Sequence, residues 1–482
     1  MILAKIISNL SAILVEGDTE KEITGVNFDS REVKSGFLFV AISGTESDGH
    51  KYIKQAVESG ATAVVCENIP AEREERVTWI QVEDSRKAIS LIASTWYGDP
   101  SQELYLAGIT GTNGKTTIAT LLYRVHTGLG YKAGLLSTIE VIINNKSYPA
   151  THTTPDPMQI NAYLRQMVDE GCEYCFMEVS SHAGSQHRIY GLNFKGAVFT
   201  NLTHEHLDYH KSFKDYLEAK RSFFNLLNKR AFALINSDDK NGSVMVQNSR
   251  AEVYRYSMQK MADFKGKIIE PHFEGTQLQI NDDELWVRLT GKFNAYNLLA
   301  VYGVSLLLGH SKEQVLQVMS GLEAVEGRFQ TIKGKNGCMA IIDYAHTDDA
   351  LRNVLETIHE VNREEKEIIS VLGAGGDRDR EKRPKMAAVA SQLSHKVILT
   401  SDNPRSEDPK AIIDEMAQGI SSDKNMQVLK IVDREEAIKT ACMLSGEHSI
   451  LLVAGKGHEK YQEIKGKKYP FNDKEIISKY LM

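Results

Sequence analysis

The stretch LYLAGITGTNGKTT at residues 104–117 joins an apolar segment to a glycine-rich turn. The apolar part predicts a buried strand, and the run from Ile118 to Tyr123 predicts a helix directly after the turn. Such a turn directs backbone N–H groups and the positive end of a helix dipole toward one point, which favours a phosphate. We expect Lys115 to reach the outer phosphates and the Thr116 hydroxyl to hold Mg²⁺. This stretch therefore predicts a nucleotide phosphate loop.

The glycine spacing departs from the usual phosphate-loop pattern. That pattern has glycine five positions before Gly114, where this chain has Ile109, and the glycines fall instead at positions 108, 111 and 114. The alternative interpretation is a glycine-rich strand–helix turn that carries a lysine by chance. The flanking strand and helix patterns favour the phosphate site.

Length and composition predict a globular α/β protein. A chain of 482 residues is long enough for about three domains, each with its own core. The net charge of −7 gives no reason to expect a nucleic-acid partner. No apolar run reaches the ~18 residues of a membrane-spanning helix, so no membrane insertion is expected. Five cysteines, an odd number, argue against a disulfide framework and predict a cytoplasmic protein. A monomer is the default expectation.

Residues 1–103 mix short strands and helices, which predicts a small α/β domain. The spacing of apolar residues between Met1 and Val15 predicts an amphipathic first helix. The segment Asp29-Ser30-Arg31 offers hydrogen bonds and a cation to a polar ligand, although these residue types are equally typical of a turn.

Residues 104–327 carry most of the candidate chemistry. Glu178 ends an apolar strand, where acidic residues of phosphate-loop enzymes complete a metal site; the alternative is a solvated strand end. The segment 201–210 is rich in His, Asp and Glu. A zinc site would need a Cys ligand or an HExxH pattern, so Mg²⁺ with one histidine fits better. Asn297 lies in a predicted helix, where its amide could contact a nucleotide.

Residues 328–482 repeat a strand–loop–helix pattern. Apolar runs predict strands at 339–343, 367–372, 396–400 and 450–454. Alternating strands and helices predict a doubly wound, Rossmann-like sheet. The loops after these strands contain many Arg, Asp and Glu residues, which indicates a charged ligand such as a zwitterion.

Together these motifs make the sequence resemble the Mur ligase family of bacterial cell-wall synthesis along nearly its whole length. Any one motif alone would be a weak signal, but the set is highly specific. The motifs are GITGTNGKTT at 108–117, MEVSSH at 177–182, QHR at 186–188, NL at 201–202, HLDYH at 206–210, GRF at 327–329, DYAH at 343–346, GDRD at 376–379 and GKGHE at 455–459.

The resemblance implies three domains: a UDP-binding domain at 1–103, an ATP-binding domain at 104–327 and a Rossmann-like amino-acid-binding domain at 328–482. It also implies a reaction. ATP phosphorylates a carboxylate to an acyl phosphate, the amine of an amino acid attacks, and phosphate leaves. The closest members add the third peptide residue to UDP-N-acetylmuramoyl-L-alanyl-D-glutamate.

The resemblance also implies roles for single residues around the nucleotide. The implied Mg²⁺ ligands are Thr116, Glu178 and His206, and with Lys115 they form the catalytic centre. Lys220 on its own reads as a helix-surface lysine, but it aligns with the family lysine that reacts with CO₂ to a carbamate (N6-carboxylysine). The implied ATP contacts are Gly111, Thr112, Asn113, Gly114, Lys115, Thr116, Thr117, Asn297, Arg328, Asp343 and His346.

The resemblance implies two further sets of contact residues, one for each of the other two substrates. The implied contacts to the UDP-muramoyl dipeptide are Ser30, Thr153, Thr154, Ser180, Gln186 and Arg188. The implied contacts to the incoming amino acid are Arg378, Asp402, Asn403, Pro404, Arg405, Gly455 and Glu459.

The Asp402-Asn-Pro-Arg405 tetrad bears on which amino acid is added. Meso-diaminopimelate differs from L-lysine by one distal carboxylate, and arginine binds carboxylates in a bidentate manner. Pro404 stiffens the loop before Arg405, and the tetrad resembles that of diaminopimelate-adding members. We therefore predict meso-diaminopimelate. L-lysine remains the alternative, and less favoured are a folylpolyglutamate-synthase-like ligase, a nucleotide switch without catalysis, and an ordinary surface turn at the tetrad.

Overall fold

The computed structural model describes residues 1–44, 47–203, 209–420 and 427–482. Within these ranges three large sheets follow one another along the chain without sharing a strand. Their strands lie between Ala12 and Val82, between Tyr105 and Val287, and between Gln330 and Ala454. The predicted three-domain α/β architecture is confirmed, while the boundaries near 103 and 327 stay a prediction.

The first sheet has the strand order β1-β5-β4-β3-β2, and only the β1–β5 pair is antiparallel. Apolar residues of α3 cover one face of this sheet. Its strands are β1 (Ala12–Glu16), β2 (Gly25–Asn27), β3 (Phe37–Val40), β4 (Ala63–Cys66) and β5 (Thr78–Val82). The helices of this part are α1 (Leu3–Ile6), α2 (Ile53–Glu58) and α3 (Ser85–Trp96).

The predicted amphipathic helix from Met1 to Val15 is wrong. Its helical part is only Leu3–Ile6, and Ala12–Glu16 forms the edge strand β1. Ile13 is 64% exposed there, so this segment does not bury an apolar helical face. The reason is that β-branched Ile13 and Val15 favour an extended chain, and pairing with β5 decides the conformation.

The central sheet has the order β16-β15-β14-β13-β12-β11-β6-β10-β7-β8-β9 in the described residues. Its middle, from β14 to β7, is parallel, and antiparallel hairpins extend both edges. The strands are β6 (Tyr105–Thr110), β7 (Ala133–Leu136), β8 (Glu140–Ile143), β9 (Lys146–Pro149), β10 (Tyr174–Glu178), β11 (Gly196–Phe199), β12 (Phe232–Asn236), β13 (Glu252–Ser257), β14 (Phe264–His272), β15 (Gly275–Ile280) and β16 (Asp283–Val287).

Helices cover both faces of the central sheet, with one apolar cluster on each side. The predicted helix after the phosphate loop is confirmed and continues to Gly128. The helices are α4 (Lys115–Gly128), α5 (Pro157–Asp169), α6 (Ser181–Ser185), α7 (Phe213–Asn225), α8 (Gly242–Met245), α9 (Lys292–Leu307) and α10 (Lys312–Ser320). Among the described residues, no helix has the length and apolar character needed to cross a lipid bilayer.

The helix that follows the phosphate loop buries a histidine. The His126 side chain is fully buried, its Nδ1 lies 2.8 Å from the carbonyl oxygen of Leu122, and its ring packs against Tyr174, Phe176 and His310. Burial lowers the pKa of His126 to about 3, and the neighbouring His310 adds to this effect. His126 is therefore neutral in the folded protein, whereas it takes up a proton below pH ~6.5 when unfolded.

We expect stability to fall as the pH drops below ~6.5, by about 1.4 kcal/mol per pH unit for this one proton. The sign follows because below that pH the unfolded chain binds more protons than the folded one. Calorimetric Tm values at pH 7.5 and 5.5 should fall less in His126→Gln than in the wild type. Equal falls in Tm for both proteins would contradict the assignment.

The third sheet has the order β17-β18-β22-β19-β20-β21, parallel from β18 to β21, so the predicted Rossmann-like sheet is confirmed. Its strands are β17 (Gln330–Lys333), β18 (Met339–Asp343), β19 (Glu367–Leu372), β20 (Lys396–Leu399), β21 (Gln427–Lys430) and β22 (Ser449–Ala454), followed by the hairpin β23 (Tyr461–Ile464) and β24 (Lys467–Pro470). The helices are α11 (Asp348–Val361), α12 (Lys382–Leu393), α13 (Pro409–Ala417), α14 (Arg434–Leu444) and α15 (Asp473–Leu481).

Candidate active site

The phosphate loop connects β6 to α4, as the sequence predicts. Gly111 and Gly114 have φ values of +146° and +90°, a region that favours glycine. A Cβ atom on Gly111 would collide with Thr200 Oγ1, and one on Gly114 would lie 2.6 Å from Asn297 Oδ1. Both glycines therefore have a conformational and a steric reason to be there.

The segment after β11 holds this loop in place. The Asn201 carbonyl oxygen accepts a hydrogen bond from the Thr112 N–H at 2.8 Å, and Asn201 Oδ1 accepts one from the Asn113 N–H at 2.9 Å. The Thr200 hydroxyl donates to the Asn113 carbonyl oxygen at 2.6 Å. Thr200 and Asn201 thus position the loop, a role that the sequence reasoning missed although Asn201 lies in one of its motifs.

Two lysines converge on this loop. Lys115 Nζ donates to the carbonyl oxygens of Gly111 and Thr112, at 3.0 and 2.6 Å. Lys220, on α7, donates from Nζ to the same Gly111 oxygen at 2.7 Å, and the Tyr216 ring centre lies 4.7 Å from that nitrogen. The Lys220 side chain is buried, so it is not the helix-surface lysine that its sequence context suggests. Two amines beside one loop favour an anionic ligand.

Glu178 ends β10 next to the phosphate-loop strand and is 1% exposed. Its Oε1 accepts a hydrogen bond from the Thr138 N–H at 2.7 Å. Its Oε2 is buried and has no hydrogen-bond partner among the described residues. A buried carboxylate oxygen without a donor fits a cation, because burying an uncompensated charge is costly.

Of the other two expected metal ligands, one lies within the described residues and one does not. Thr116 Oγ1 accepts a hydrogen bond from Arg328 Nη2 at 3.3 Å, at the start of α4. His206 lies in the segment 204–208, outside the described residues. The described ranges contain no group of three or more His, Cys, Asp or Glu side chains placed to hold a metal.

The C-terminal domain contacts the phosphate loop and the start of α4. Arg328 reaches Thr116, and its guanidinium carbon lies 4.7 Å from the centre of the Tyr344 ring. Asn113 Nδ2 donates to Asp349 Oδ2 at 3.1 Å. These contacts bring the two halves of the expected nucleotide site together.

Asp343 supports the segment that carries Arg328. Its carboxylate accepts hydrogen bonds from the N–H groups of Phe329 and Ala345, both at 2.7 Å, and burial raises its pKa. His346 Nδ1 lies 2.9 Å from the Tyr344 carbonyl oxygen. Asp343 and His346, both expected nucleotide contacts, therefore shape the chain around Arg328.

Most of the residues expected to contact the UDP-muramoyl dipeptide form one network. Arg188 donates to the Thr154 carbonyl oxygen at 2.6 Å, and twice to Gln186 Oε1. Thr154 Oγ1 donates to the Glu178 carbonyl oxygen at 2.8 Å and accepts from the Ser180 N–H at 3.0 Å. The network thus continues to the candidate metal ligand.

The two remaining residues of that set lie beside or away from the network. Thr153 lies next to Thr154, and its hydroxyl accepts a hydrogen bond from Thr138 at 3.1 Å. Ser30 lies in the N-terminal domain, where its hydroxyl donates to Gln55 Oε1 at 3.1 Å.

The loops after β20 and β22 form a buried charged cluster. Lys456 is fully buried, and its Nζ donates to Asn403 Oδ1 at 3.0 Å and Glu459 Oε2 at 3.1 Å, with Asp402 Oδ1 at 3.5 Å. Burial opposes ionisation of Asp402, but the Lys456 charge brings its pKa below the ordinary value. Burial and the Asp402 charge raise the pKa of Glu459. The role of Lys456 was missed, although it lies within the GKGHE motif.

The expected amino-acid contacts surround this cluster. Gly455 has φ +113°, and a Cβ there would lie 2.7 Å from Asp402 Oδ2. Arg405 has φ +49°, and its Nη1 donates to the Gly376 carbonyl oxygen at 2.6 Å. The exposed Arg378 follows the same glycine loop. Pro404 packs its carbonyl group against Gly376. The structure therefore gathers this set at one edge of the sheet.

A phosphate loop at the carboxyl edge of a mostly parallel sheet, in contact with a doubly wound domain, defines a P-loop nucleotide-binding protein. Three family models match consecutive parts of the chain. They are described as "Mur ligase family, catalytic domain" at 22–97, "Mur ligase middle domain" at 109–305 and "Mur ligase, glutamate ligase domain" at 327–457. The chain belongs to the Mur ligase family, and the predicted resemblance is confirmed.

Similar proteins match over nearly the full length. A protein of Bacteroides thetaiotaomicron named UDP-N-acetylmuramoyl-L-alanyl-D-glutamate--2,6-diaminopimelate ligase is 54% identical, with 99% of each chain covered. A protein of the same name from Chlorobaculum tepidum is 43% identical, covering 94% of this chain and 92% of the relative. A solved structure of a ligase of that name is 29% identical, with a TM-score of 0.71 and coverage of 100% and 98%.

Proposed function

We propose that this protein is an ATP-dependent ligase that adds meso-diaminopimelate to UDP-N-acetylmuramoyl-L-alanyl-D-glutamate. The observation that carries the proposal is the held guanidinium of Arg405 beside the buried cluster of Asp402, Asn403, Lys456 and Glu459. This arrangement offers both signs of charge to a zwitterion, in a domain that contacts the phosphate loop. The relatives named for this reaction support it.

In this reaction the protein contributes mainly by positioning the substrates and neutralising their charge. The γ-phosphoryl group of ATP passes to the D-glutamate carboxylate, and ADP leaves. The amine of the amino acid attacks the acyl carbon, and the tetrahedral intermediate expels phosphate as the amide forms. Lys115 neutralises the transferred phosphoryl group, and Arg328 contributes a second cation from the C-terminal domain.

Thr116, Glu178 and His206 are proposed to hold Mg²⁺. The unpartnered Glu178 Oε2 supports this assignment. The ion would supply charge neutralisation at the phosphates. The Thr116 hydroxyl and the Glu178 carboxylate are oxygen donors of the kind that Mg²⁺ prefers. Glu178 ends β10 directly beside β6, the strand that leads into the loop before Thr116.

The network around Arg188 is proposed to receive the peptide end of the UDP-linked substrate. It leads through Thr154 to Glu178, so a bound carboxylate would lie between a cation and the metal ligand. Ser30 is proposed to contact the nucleotide-sugar end. The reaction is proposed to occur in the bacterial cytoplasm, because five buried free cysteines suit a reducing compartment. The enzyme is proposed to act as a monomer.

The amino-acid site supports a dicarboxylate. Arg405 and Arg378 flank Gly375, since a Cβ there would lie 3.0 Å from Arg405 Nη1 and 3.7 Å from Arg378 Cγ. Two arginines on either side of one glycine suit a ligand with carboxylates. Asp402 and Glu459 lie nearby to accept an ammonium group, so a substrate with carboxylate and ammonium at both ends matches the charges.

The test compares kcat/KM for meso-diaminopimelate and L-lysine by phosphate release. The wild type should prefer meso-diaminopimelate, and Arg405→Ala should lower that activity about 100-fold, because a substrate carboxylate loses its half-buried cationic partner. Activity with L-lysine should change much less. The matched control is Arg363→Ala, which removes an exposed arginine paired with Glu270 in a surface ion pair.

Other outcomes separate the alternatives. A wild-type preference for L-lysine, or unchanged discrimination in Arg405→Ala, would overturn the proposed substrate. Activity with a folate and glutamate would favour the sister ligase. Phosphate release that needs neither the UDP substrate nor an amino acid would favour a nucleotide switch.

A further inference from the structure

A buried arginine connects the two loops that carry Arg378 and Arg405. The Arg383 side chain, on α12, is fully buried. Its Nη1 and Nη2 donate to the two carboxylate oxygens of Glu407 at 2.9 and 2.7 Å, and Nη1 also donates to Glu415 at 2.7 Å. Nη2 reaches the Gly375 carbonyl oxygen at 3.2 Å. We call the pair Arg383 and Glu407 the brace.

The brace extends to the backbone of the glycine loop. Glu407 Oε1 also accepts the Asp377 N–H at 2.6 Å. In the opposite direction, the Asp377 carboxylate accepts hydrogen bonds from the Ser406 hydroxyl at 2.6 Å and the Ser406 N–H at 3.2 Å. The loop after β19 and the turn after β20 are therefore bonded to each other from both sides.

Each of these connected segments carries one of the arginines proposed to bind substrate carboxylates. Arg378 follows Asp377 directly, and Arg405 lies two residues before Glu407. A change in the brace would shift one loop against the other and so change the spacing of the two guanidinium groups. Bidentate pairing with carboxylates depends on such geometry, and a displacement of ~1 Å is enough to weaken it.

A second observation separates the brace from an ordinary surface ion pair. Hydrogen bonds from Arg383, and to a smaller extent the one from Arg380, lower the pKa of Glu407 to about 2. This carboxylate therefore stays charged throughout the neutral range. Exposed ion pairs contribute little to stability, whereas a fully buried arginine that donates to four oxygen atoms on three residues is held in one geometry. A rigid support of this kind is what a geometry-dependent site requires.

We propose that Arg383 and Glu407 are positioning residues that set the spacing of Arg378 and Arg405 and so select an amino-acid substrate with a carboxylate at each end. The proposal rests on the proposed function in that the two arginines bind the carboxylates of the added amino acid. Neither Arg383 nor Glu407 needs to touch the substrate. A purely structural role would instead affect stability and leave substrate selection unchanged.

The test is Glu407→Gln, which keeps the shape of the side chain and removes its charge. We expect the KM for meso-diaminopimelate to rise about tenfold, and the enzyme's preference for it over L-lysine to fall about as much. The reason is that the substrate carboxylates would face displaced arginines. The KM values for ATP and for the UDP-linked dipeptide should stay within about twofold. Arg383→Lys, which keeps the charge and loses the bidentate geometry, should act in the same direction.

The matched control is Glu367→Gln. Glu367 pairs with Lys396 at 2.8 Å. These two residues begin β19 and β20, so their pair lies at the ends of the strands away from the brace. It should leave all three KM values unchanged. If Arg383→Lys fails to fold, Glu407→Gln still decides the question.

The outcomes separate this proposal from the proposed function. A Glu407→Gln enzyme with a lower Tm but unchanged amino-acid KM and discrimination overturns the brace, as does an equal rise in all three KM values. A wild type that prefers L-lysine overturns the proposed substrate instead. In that case the proposed selection of a dicarboxylate is overturned as well. The positioning role of the brace then stands only if Glu407→Gln raises the KM of L-lysine selectively, since the α-carboxylate of L-lysine would still need a positioned arginine.

Discussion

Lys115→Ala is expected to lower kcat/KM for ligation by about 10³-fold or more, because a positioned charge on a transferring phosphoryl group is among the largest catalytic effects. Lys115 Nζ now donates to the carbonyl oxygens of Gly111 and Thr112, so its charge lies at the loop itself. A bound phosphate would draw the flexible side chain away from these carbonyls. Phosphate release in the presence of all three substrates measures the effect.

The fold should survive this change. Lys115 is half-buried at the first position of α4, and the loop is held mainly by Asn201 and Thr200. We therefore expect a Tm close to that of the wild type. Lys132→Ala is the control, since the exposed Lys132 side chain donates to the Glu170 carbonyl oxygen at the surface of the same domain. Near-normal turnover by a folded Lys115→Ala enzyme would refute the phosphate-loop assignment.

The phosphate loop was predictable because its determinants are local. An apolar strand, a glycine turn and a helix follow one another within about 25 residues, and each is specified by its own sequence pattern. The unusual spacing also has a local explanation. Gly108 lies inside β6, and a Cβ there would lie 2.5 Å from the Phe223 ring and 2.9 Å from Phe194. That glycine serves packing against α7, whereas Gly111 and Gly114 shape the turn.

The first helix was not predictable because its determinant is distant in sequence. The apolar spacing of Met1 to Val15 suits a helix, yet the segment from Ala12 pairs with β5, more than 60 residues further along the chain. An edge position leaves Ile13 and Leu14 exposed, which no helical periodicity indicates. Tertiary pairing therefore overrides the local pattern here.

The amino-acid site has both local determinants, which the sequence reveals, and distant ones, which it does not. The charged loops were visible in the sequence, and their position after strands suggested a ligand edge. Their grouping depends on the strand order β18-β22-β19-β20, which places the loops after Ala454, Leu372 and Leu399 side by side. Lys456 and the brace depend on this order, so a sequence without a known topology does not reveal them.

Lys220→Ala is expected to lose about 100-fold of kcat, because Lys220 is proposed to act as a carbamate that helps to hold a second Mg²⁺. The ammonium group first loses one proton, and the neutral amine then joins CO₂ and releases a second proton, so a cation becomes an anion. The Lys220 side chain is buried, and its Nζ lies beside the phosphate loop. The carbamate nitrogen keeps one N–H, which can still donate to the Gly111 carbonyl oxygen now 2.7 Å away.

Three comparisons test this proposal against a simple role for a positive charge. Lys220→Arg keeps a cation and should be as impaired as Lys220→Ala, whereas short carboxylic acids should partly restore Lys220→Ala by supplying the missing anion. A ¹³C carbamate signal after incubation with ¹³CO₂ should appear in the wild type and in the control Lys214→Ala, on the exposed face of the same helix, but not in Lys220→Ala. Full activity of Lys220→Arg, or a wild type without the carbamate signal, would show that the amine itself serves the phosphate loop through its contact with Gly111.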